Sequence, residues 1–162
     1  MKPSILFLDI DGVLNHAGTE GPRASALLGT DDERVRLSKA WFEPLLVAQL
    51  NRVITLTGCE IVIHSSWRHL YTEDLLRRVL QTVQICGPVL GVTDPRIQDR
   101  AGSIRDWLYR HDHHKASISF AVLDDDGPWH CPIVSPRHVQ TNPITGLTFH
   151  DGDRVLGLLE AP

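Results

Sequence analysis

The chain has 162 residues, 42% of them hydrophobic and 22% charged, with a formal net charge of −4. This fits one globular domain over residues 1–162 with a sizeable core, and excludes a disordered or fibrous chain. The acidic balance excludes a global basic surface for nucleic acid but leaves room for a local one.

Residues 4–13 (Ser-Ile-Leu-Phe-Leu-Asp-Ile-Asp-Gly-Val) read as a buried strand that ends in two carboxylates, Asp9 and Asp11. Residues 15–39 are polar and contain Gly, and are expected to form a loop or flap with room for a short hairpin. Residues 41–57 place Leu46, Leu50, Val53, Ile54 and Thr57 at helical spacing, with Gly58 as a stop. Residues 60–64 form a second apolar strand followed by Ser65, Ser66, Trp67 and Arg68. Thr72 is placed to cap a helix that runs to about Leu80. Residues 83–90 are apolar but broken by Gly87-Pro88, which predicts a short strand or turn. A helix over residues 101–110 carries Ile104, Trp107 and Leu108 on one face, and residues 111–115 form a polar loop. Residues 118–123 are a third strand, ending in Asp124-Asp125-Asp126-Gly127. Residues 138–140 are a last short strand, and Asp151 is placed to cap a helix to about Leu159. Strands alternating with helices predict a parallel α/β sheet.

Three buried strands thus end in oxygen-bearing residues. In a parallel sheet those ends share one edge, where open α/β folds bind ligands. Up to four carboxylates and a hydroxyl converge there. Hard oxygen donors without soft ligands suit Mg²⁺, which keeps positions open for a substrate phosphate. With the charge neutralised, one Asp can attack phosphorus and form an aspartyl-phosphate.

The segment Leu8-Asp9-Ile10-Asp11-Gly12-Val13 resembles motif I (DxDG[TV]) of the haloacid dehalogenase (HAD) superfamily. Ser65 after a hydrophobic strand resembles its motif II, and Leu123-Asp124-Asp125 its acidic motif IV. Arg100 is the candidate for the basic motif III, with Arg96 and Arg105 as competitors. The stretches 63–68, 100–108, 123–126 and 141–148 further resemble the HAD domains of Swiss Army Knife RNA-repair proteins. The resemblance spans nearly the whole chain. It implies a three-layer Rossmann-like HAD fold around a central parallel sheet. The spacing of the motifs leaves room for a minimal cap domain or none.

The resemblance also implies roles. Asp9 is the nucleophile, and Asp11 moves protons to the leaving group and from water. Mg²⁺ is held by Asp9, the backbone carbonyl of Asp11, and Asp124 or Asp125. Ser65 binds the phosphoryl oxygens, with Ser66 as its neighbouring competitor, and Arg100 balances their charge. Gly12 lies in the substrate-binding loop, and Arg68 is placed for a bidentate phosphate contact. The implied activity is an Mg²⁺-dependent phosphomonoester hydrolase, and an uncapped site favours phosphorylated RNA or DNA ends as substrate. A small-molecule, nucleotide-type phosphatase is the alternative within that chemistry. A receiver-like phospho-Asp module and a non-catalytic interaction domain are the alternatives outside it.

The blander readings are specific too. An EF-hand needs further ligands and a later Glu, which the DxDG segment lacks. The His111-Asp112-His113-His114 run reads as a solvated loop, and Trp67 and Trp107 as core. Trp129 reads either as rim of the site or as an ordinary exposed aromatic. The arginines between 68 and 110 are interleaved with acids and read as a mixed surface. Cys59, Cys86 and Cys131 form no CxxC pair, so zinc and a disulfide framework are not expected. The N-terminal run is interrupted by two Asp, lacks a cleavage site, and is too short to span a membrane. A cytoplasmic protein is the expectation.

Overall fold

The structure is a computed structural model that describes residues 3–19, 28–111, 118–127 and 129–160. Its centre is a parallel sheet built from β1 (Ser4–Leu8), β2 (Glu60–Ile63), β3 (Val89–Val92), β4 (Ser119–Asp124) and β5 (His138–Gln140), in the order β3-β2-β1-β4-β5. The apolar first strand therefore lies in the middle, where both faces are covered.

Side chains of a strand alternate between faces. Ile5 and Phe7 join Val62, Phe120 and Val122 on one face, under α4 (Arg100–His111). Phe7 meets Trp107 of α4 and Phe120 edge-on, with ring centroids 5.4 and 5.9 Å away. Leu6 and Leu8 join Ile61, Ile63 and Leu123 on the opposite face, with residues of α2 (Pro44–Thr57), α3 (Glu73–Thr82) and α5 (Phe149–Glu160). The three-layer α/β arrangement follows from this division. Leu50 of α2 is fully buried in the larger cluster. Leu50→Ala is expected to cost about 3 kcal/mol, read as a lower urea midpoint with an unchanged slope.

The helix starts and stops follow local chemistry. Thr72 caps α3 by accepting from the Leu75 amide, and Gly58 ends α2 in the left-handed region at φ 64°. Two expectations need correction. The polar segment before α2 contains a helix, α1 (Asp31–Ser38), closed by a capping box between Thr30 and Glu33. Residues 20–27 of the expected flap, with part of its possible hairpin, lie outside the described residues, as do 112–117 of the expected polar loop. Thr148, not Asp151, caps α5: its hydroxyl accepts from the Asp151 amide, and the Asp151 carboxylate returns a bond to the Thr148 amide. The apolar segment 83–90 agrees with the expected short strand or turn: it turns at 83–84 and enters β3 at Val89.

Among the described residues, the chain between β1 and β2 forms α1, a 3₁₀ turn (Lys39–Trp41) and α2, and no separate cap domain. No helix of the described residues is long and apolar enough to cross a membrane.

Candidate active site

The sheet ladder runs one residue beyond the strands and so sets the site. Asp9 N donates to Leu123 O at 2.9 Å, His64 N to Leu8 O at 2.9 Å, and Thr141 N to Asp124 O at 3.0 Å. Asp9, His64, Asp124 and Thr141 are thereby placed on one sheet edge.

Asp9 is 1% exposed. Its Oδ1 accepts from the Ile10 amide at 2.7 Å and its Oδ2 from Arg100 Nη1 at 2.7 Å. The same Nη1 bonds Asp124 Oδ2. Asp124 is fully buried; its Oδ2 also pairs with His64 Nε2 at 2.6 Å and its Oδ1 accepts from the Asp126 amide at 2.7 Å. One carboxylate oxygen from each of Asp9, Asp124 and Asp125 lies within 4.8 Å of the others. Gly12 makes room for this cluster. Its φ is +68°, and a Cβ there would stand 2.3 Å from Asp125 Oδ2.

The electrostatics follow from crowding. Burial and the neighbouring Asp124 push the Asp9 carboxyl above its ordinary value, against the pull of His64 and Arg100. Burial, Asp9 and Asp124 push Asp125 up as well. Burial acts in the same direction on Asp124, but the His64 hydrogen bond and the Arg100 guanidinium outweigh it and hold Asp124 low. Burial pulls the Arg100 guanidinium down, yet Asp9 and Asp124 raise it on balance. Three clustered carboxylates face one guanidinium and the His64 ring. This all-oxygen donor set, which the missing side chain of Gly12 lets Asp125 complete, fits a hard divalent cation such as Mg²⁺.

Of the three competing arginines, Arg100 reaches the carboxylates. Arg96 pairs with Asp94 at 2.6 Å, and Arg105 is exposed on the outer side of α4. Asp11 stands outside the carboxylate cluster: Oδ1 accepts from Asn15 Nδ2 and Oδ2 from Trp67 Nε1, each at 2.9 Å. The Asp11 side chain is thus not among the clustered carboxylates; its main-chain oxygen stays the metal contact that the resemblance implies. Ser65 is buried at the end of β2 and its Oγ accepts from the Trp67 amide at 3.3 Å, which leaves the hydroxyl proton for a ligand. Ser66 points to solvent.

Two expected contacts are differently placed. Arg68 is 6% exposed, and its Nη1 donates to the carbonyls of His64 and Ser65 at 2.7 and 2.9 Å. It braces the loop after β2 from below rather than presenting its fork to a phosphate. The Gly12 amide donates to Asn15 Oδ1 at 2.8 Å and its carbonyl accepts from Thr141 Oγ1 at 2.7 Å, so this glycine holds loop shape. Asn15, His64, Trp67 and Thr141 are the supporting residues that the sequence reading did not single out for the site. The stretches 63–68 and 141–148 carried the nearest signal for His64, Trp67 and Thr141. The mixed reading of the arginine-rich surface holds: Arg77 pairs with Glu73, Arg78 with Asp32 and Arg110 with Asp106.

The sequence model of one family, described as "HAD domain in Swiss Army Knife RNA repair proteins", matches residues 5–151. No curated protein and no solved structure gives a match.

Proposed function

The chain belongs to that family of HAD domains, a fold family of phosphatase-type hydrolases, and from this premise we propose that it is an Mg²⁺-dependent phosphomonoester hydrolase working through an aspartyl-phosphate on Asp9. The observation that carries the reading is the contact of Asp9 Oδ2 with Arg100 inside the Asp9–Asp124–Asp125 cluster. A buried carboxylate so placed has little role in packing, and its ionised form is held there at a cost.

Asp9 attacks the phosphorus of a bound monoester, and the ester P–O bond breaks. Asp11 gives its proton to the departing oxygen. The resulting Asp11 carboxylate then takes a proton from a water that attacks the same phosphorus. Inorganic phosphate leaves and Asp9 is restored. The Ser65 hydroxyl donates to a phosphoryl oxygen, and Arg100 offsets the charge that Asp9 and the phosphoryl group bring together. Such positioned charges supply most of the catalysis in phosphoryl transfer. Bound Mg²⁺, held by Asp9, Asp124 or Asp125 and the main-chain oxygen of Asp11, supplies neutralisation of the phosphoryl charge.

Mg²⁺ also gives a test independent of turnover. Asp9 and Asp125 have folded pKa values above their unfolded ones. The folded protein therefore holds more protons than the unfolded chain across that window. Their contribution to metal-free stability falls as pH rises through it. Mg²⁺ binds the deprotonated carboxylates and offsets that loss. Millimolar Mg²⁺ is expected to raise Tm by several degrees, roughly, near pH 7.5, and progressively less as pH is lowered through the window. A Tm indifferent to Mg²⁺ at pH 7.5 contradicts the metal assignment.

The substrate reading is a phosphorylated RNA or DNA end. Asp11 faces solvent, and no cap covers the site among the described residues. Beside the acidic loop, Trp129 stacks on His138 at 4.3 Å and meets His64 edge-on at 5.5 Å, an aromatic edge against which a base can rest. The matched family's description points the same way. The test compares kcat/KM for 3′- and 5′-phosphorylated oligonucleotides with that for mononucleotides. Preference for an oligonucleotide end supports the reading, and reaction of mononucleotides alone replaces it with a small-molecule phosphatase. No turnover of any phosphoester, with a long-lived phospho-Asp, replaces it with a receiver-like module.

A further inference from the structure

Trp67 is 5% exposed and sits among aromatic neighbours. It stacks on Tyr71 at 5.3 Å with planes 19° apart, and meets Trp41 and Phe42 near edge-on at 4.9 and 5.7 Å. Tyr71 is itself fixed, its hydroxyl 2.9 Å from Ser38 Oγ and its face under the Arg34 guanidinium at 4.5 Å. Packing alone would be satisfied by any large apolar ring. The indole does one thing that a phenyl ring does not: Nε1–H reaches out of the cluster to Asp11 Oδ2 at 2.9 Å. The same residue's amide donates to Ser65 Oγ. Trp67 therefore touches both the carboxylate that moves protons and the hydroxyl placed for the phosphoryl group.

Asp11 needs such a tie. It is exposed, on a loop just past β1, and its backbone has no strand partner to aim it. A carboxylate free to rotate spends little time at the angle from which a proton can pass to a leaving oxygen. Asn15 holds one oxygen from its own loop. Trp67 holds the other from the far side, across 56 residues of sequence. We infer that Trp67 is a positioning residue for the proton transfers at Asp11, its indole N–H fixing the carboxylate against a rigid aromatic cluster built by the segment between β1 and β2 and the turn after β2. The inference rests on the acid role of Asp11 in the proposed function.

The experiment reads leaving-group dependence. kcat/KM reports formation of the phospho-enzyme, and a dinitrophenolate leaves without a proton whereas phenolate or an alkoxide needs one. Dinitrophenyl, nitrophenyl, phenyl and alkyl phosphates are compared for the wild-type chain, Trp67→Phe, Asp11→Asn and the double variant. Asp11→Asn is expected to lose on the order of 10²-fold or more on phenyl phosphate and far less on dinitrophenyl phosphate. Trp67→Phe is expected to show the same steepening, on the order of tenfold on phenyl phosphate. The double variant should be no slower than Asp11→Asn alone, because one acts through the other. Should Trp67→Phe fail to fold, a benzothienylalanine at position 67 replaces only the N–H by sulfur and gives the same comparison. Equal loss on every substrate, or losses that add in the double variant, overturn the inference. A flat leaving-group response in Asp11→Asn overturns instead the acid role on which it rests, and the two failures are separate.

Discussion

Asp9→Asn is expected to abolish turnover of every phosphomonoester, by roughly 10³-fold or more in kcat. The amide is nearly the same size and still offers an oxygen to the Ile10 amide, so the loop keeps its shape. What disappears is the attacking carboxylate. The same change bears on stability, with the opposite sign. Burial and Asp124 disfavour the charged form of Asp9 in the folded protein. A neutral amide removes that cost; its Nδ2 cannot accept from Arg100 Nη1, which turns wholly onto Asp124. Metal-free Asp9→Asn is therefore expected to melt at or above the wild-type temperature, and to lose most of the Mg²⁺-induced shift. A dead variant that is also more stable marks a residue kept for chemistry. Turnover within tenfold of wild type, measured on an aryl phosphate, contradicts the role.

Arg100→Ala is the second large effect. Its Nη1 is shared between Asp9 Oδ2 and Asp124 Oδ2, and the side chain is about a quarter exposed. Removing it leaves two buried carboxylates facing each other with only His64 against Asp124. A loss on the order of 10²-fold in kcat/KM is expected, since one preorganised charge at a transferring phosphoryl group is worth that much. Tm is expected to fall by a few degrees, roughly, because the pair is broken and not replaced by an apolar packing. Arg100→Lys should recover part of both, as a charge without the fork. Arg96→Ala and Arg105→Ala should leave kcat/KM within about twofold of wild type, because neither side chain reaches the carboxylates. Comparable losses in all three alanine variants contradict the assignment.

The parts of this site legible in the sequence share one property: they end short apolar runs. Asp9, Ser65 and Asp124 each stand at or just past the end of a strand rich in Leu, Ile or Val, and parallel order carries those ends to one edge. The residues that were not legible depend on contacts across the sheet. His64 and Asp124 are 60 positions apart, and only the adjacency of both β2 and β4 to β1 brings them within 2.6 Å. Trp67 reads as core, and it is core. The direction of its N–H is fixed by Tyr71, Trp41 and Phe42, which no periodicity describes. Arg68 shows the reverse error. Its charge and place after Ser65 suggested a phosphate clamp, but the buried side chain turns its Nη1 onto the backbone carbonyls of His64 and Ser65. Helix α1 was missed because it buries only Val35 and Ser38, too little to give an apolar stripe. Its signal was the Thr30–Glu33 capping box.

The central claim is that Asp9 takes the phosphoryl group. Asp11→Asn, which slows attack of water on the phospho-enzyme, is mixed with Mg²⁺ and dinitrophenyl phosphate, quenched, and reduced with borohydride. An aspartyl-phosphate is converted by that treatment to homoserine, which peptide mass mapping places in the sequence. The account predicts homoserine at position 9 and nowhere else, formed only with Mg²⁺ present. Turnover without any such adduct, or an adduct at another carboxylate, contradicts it.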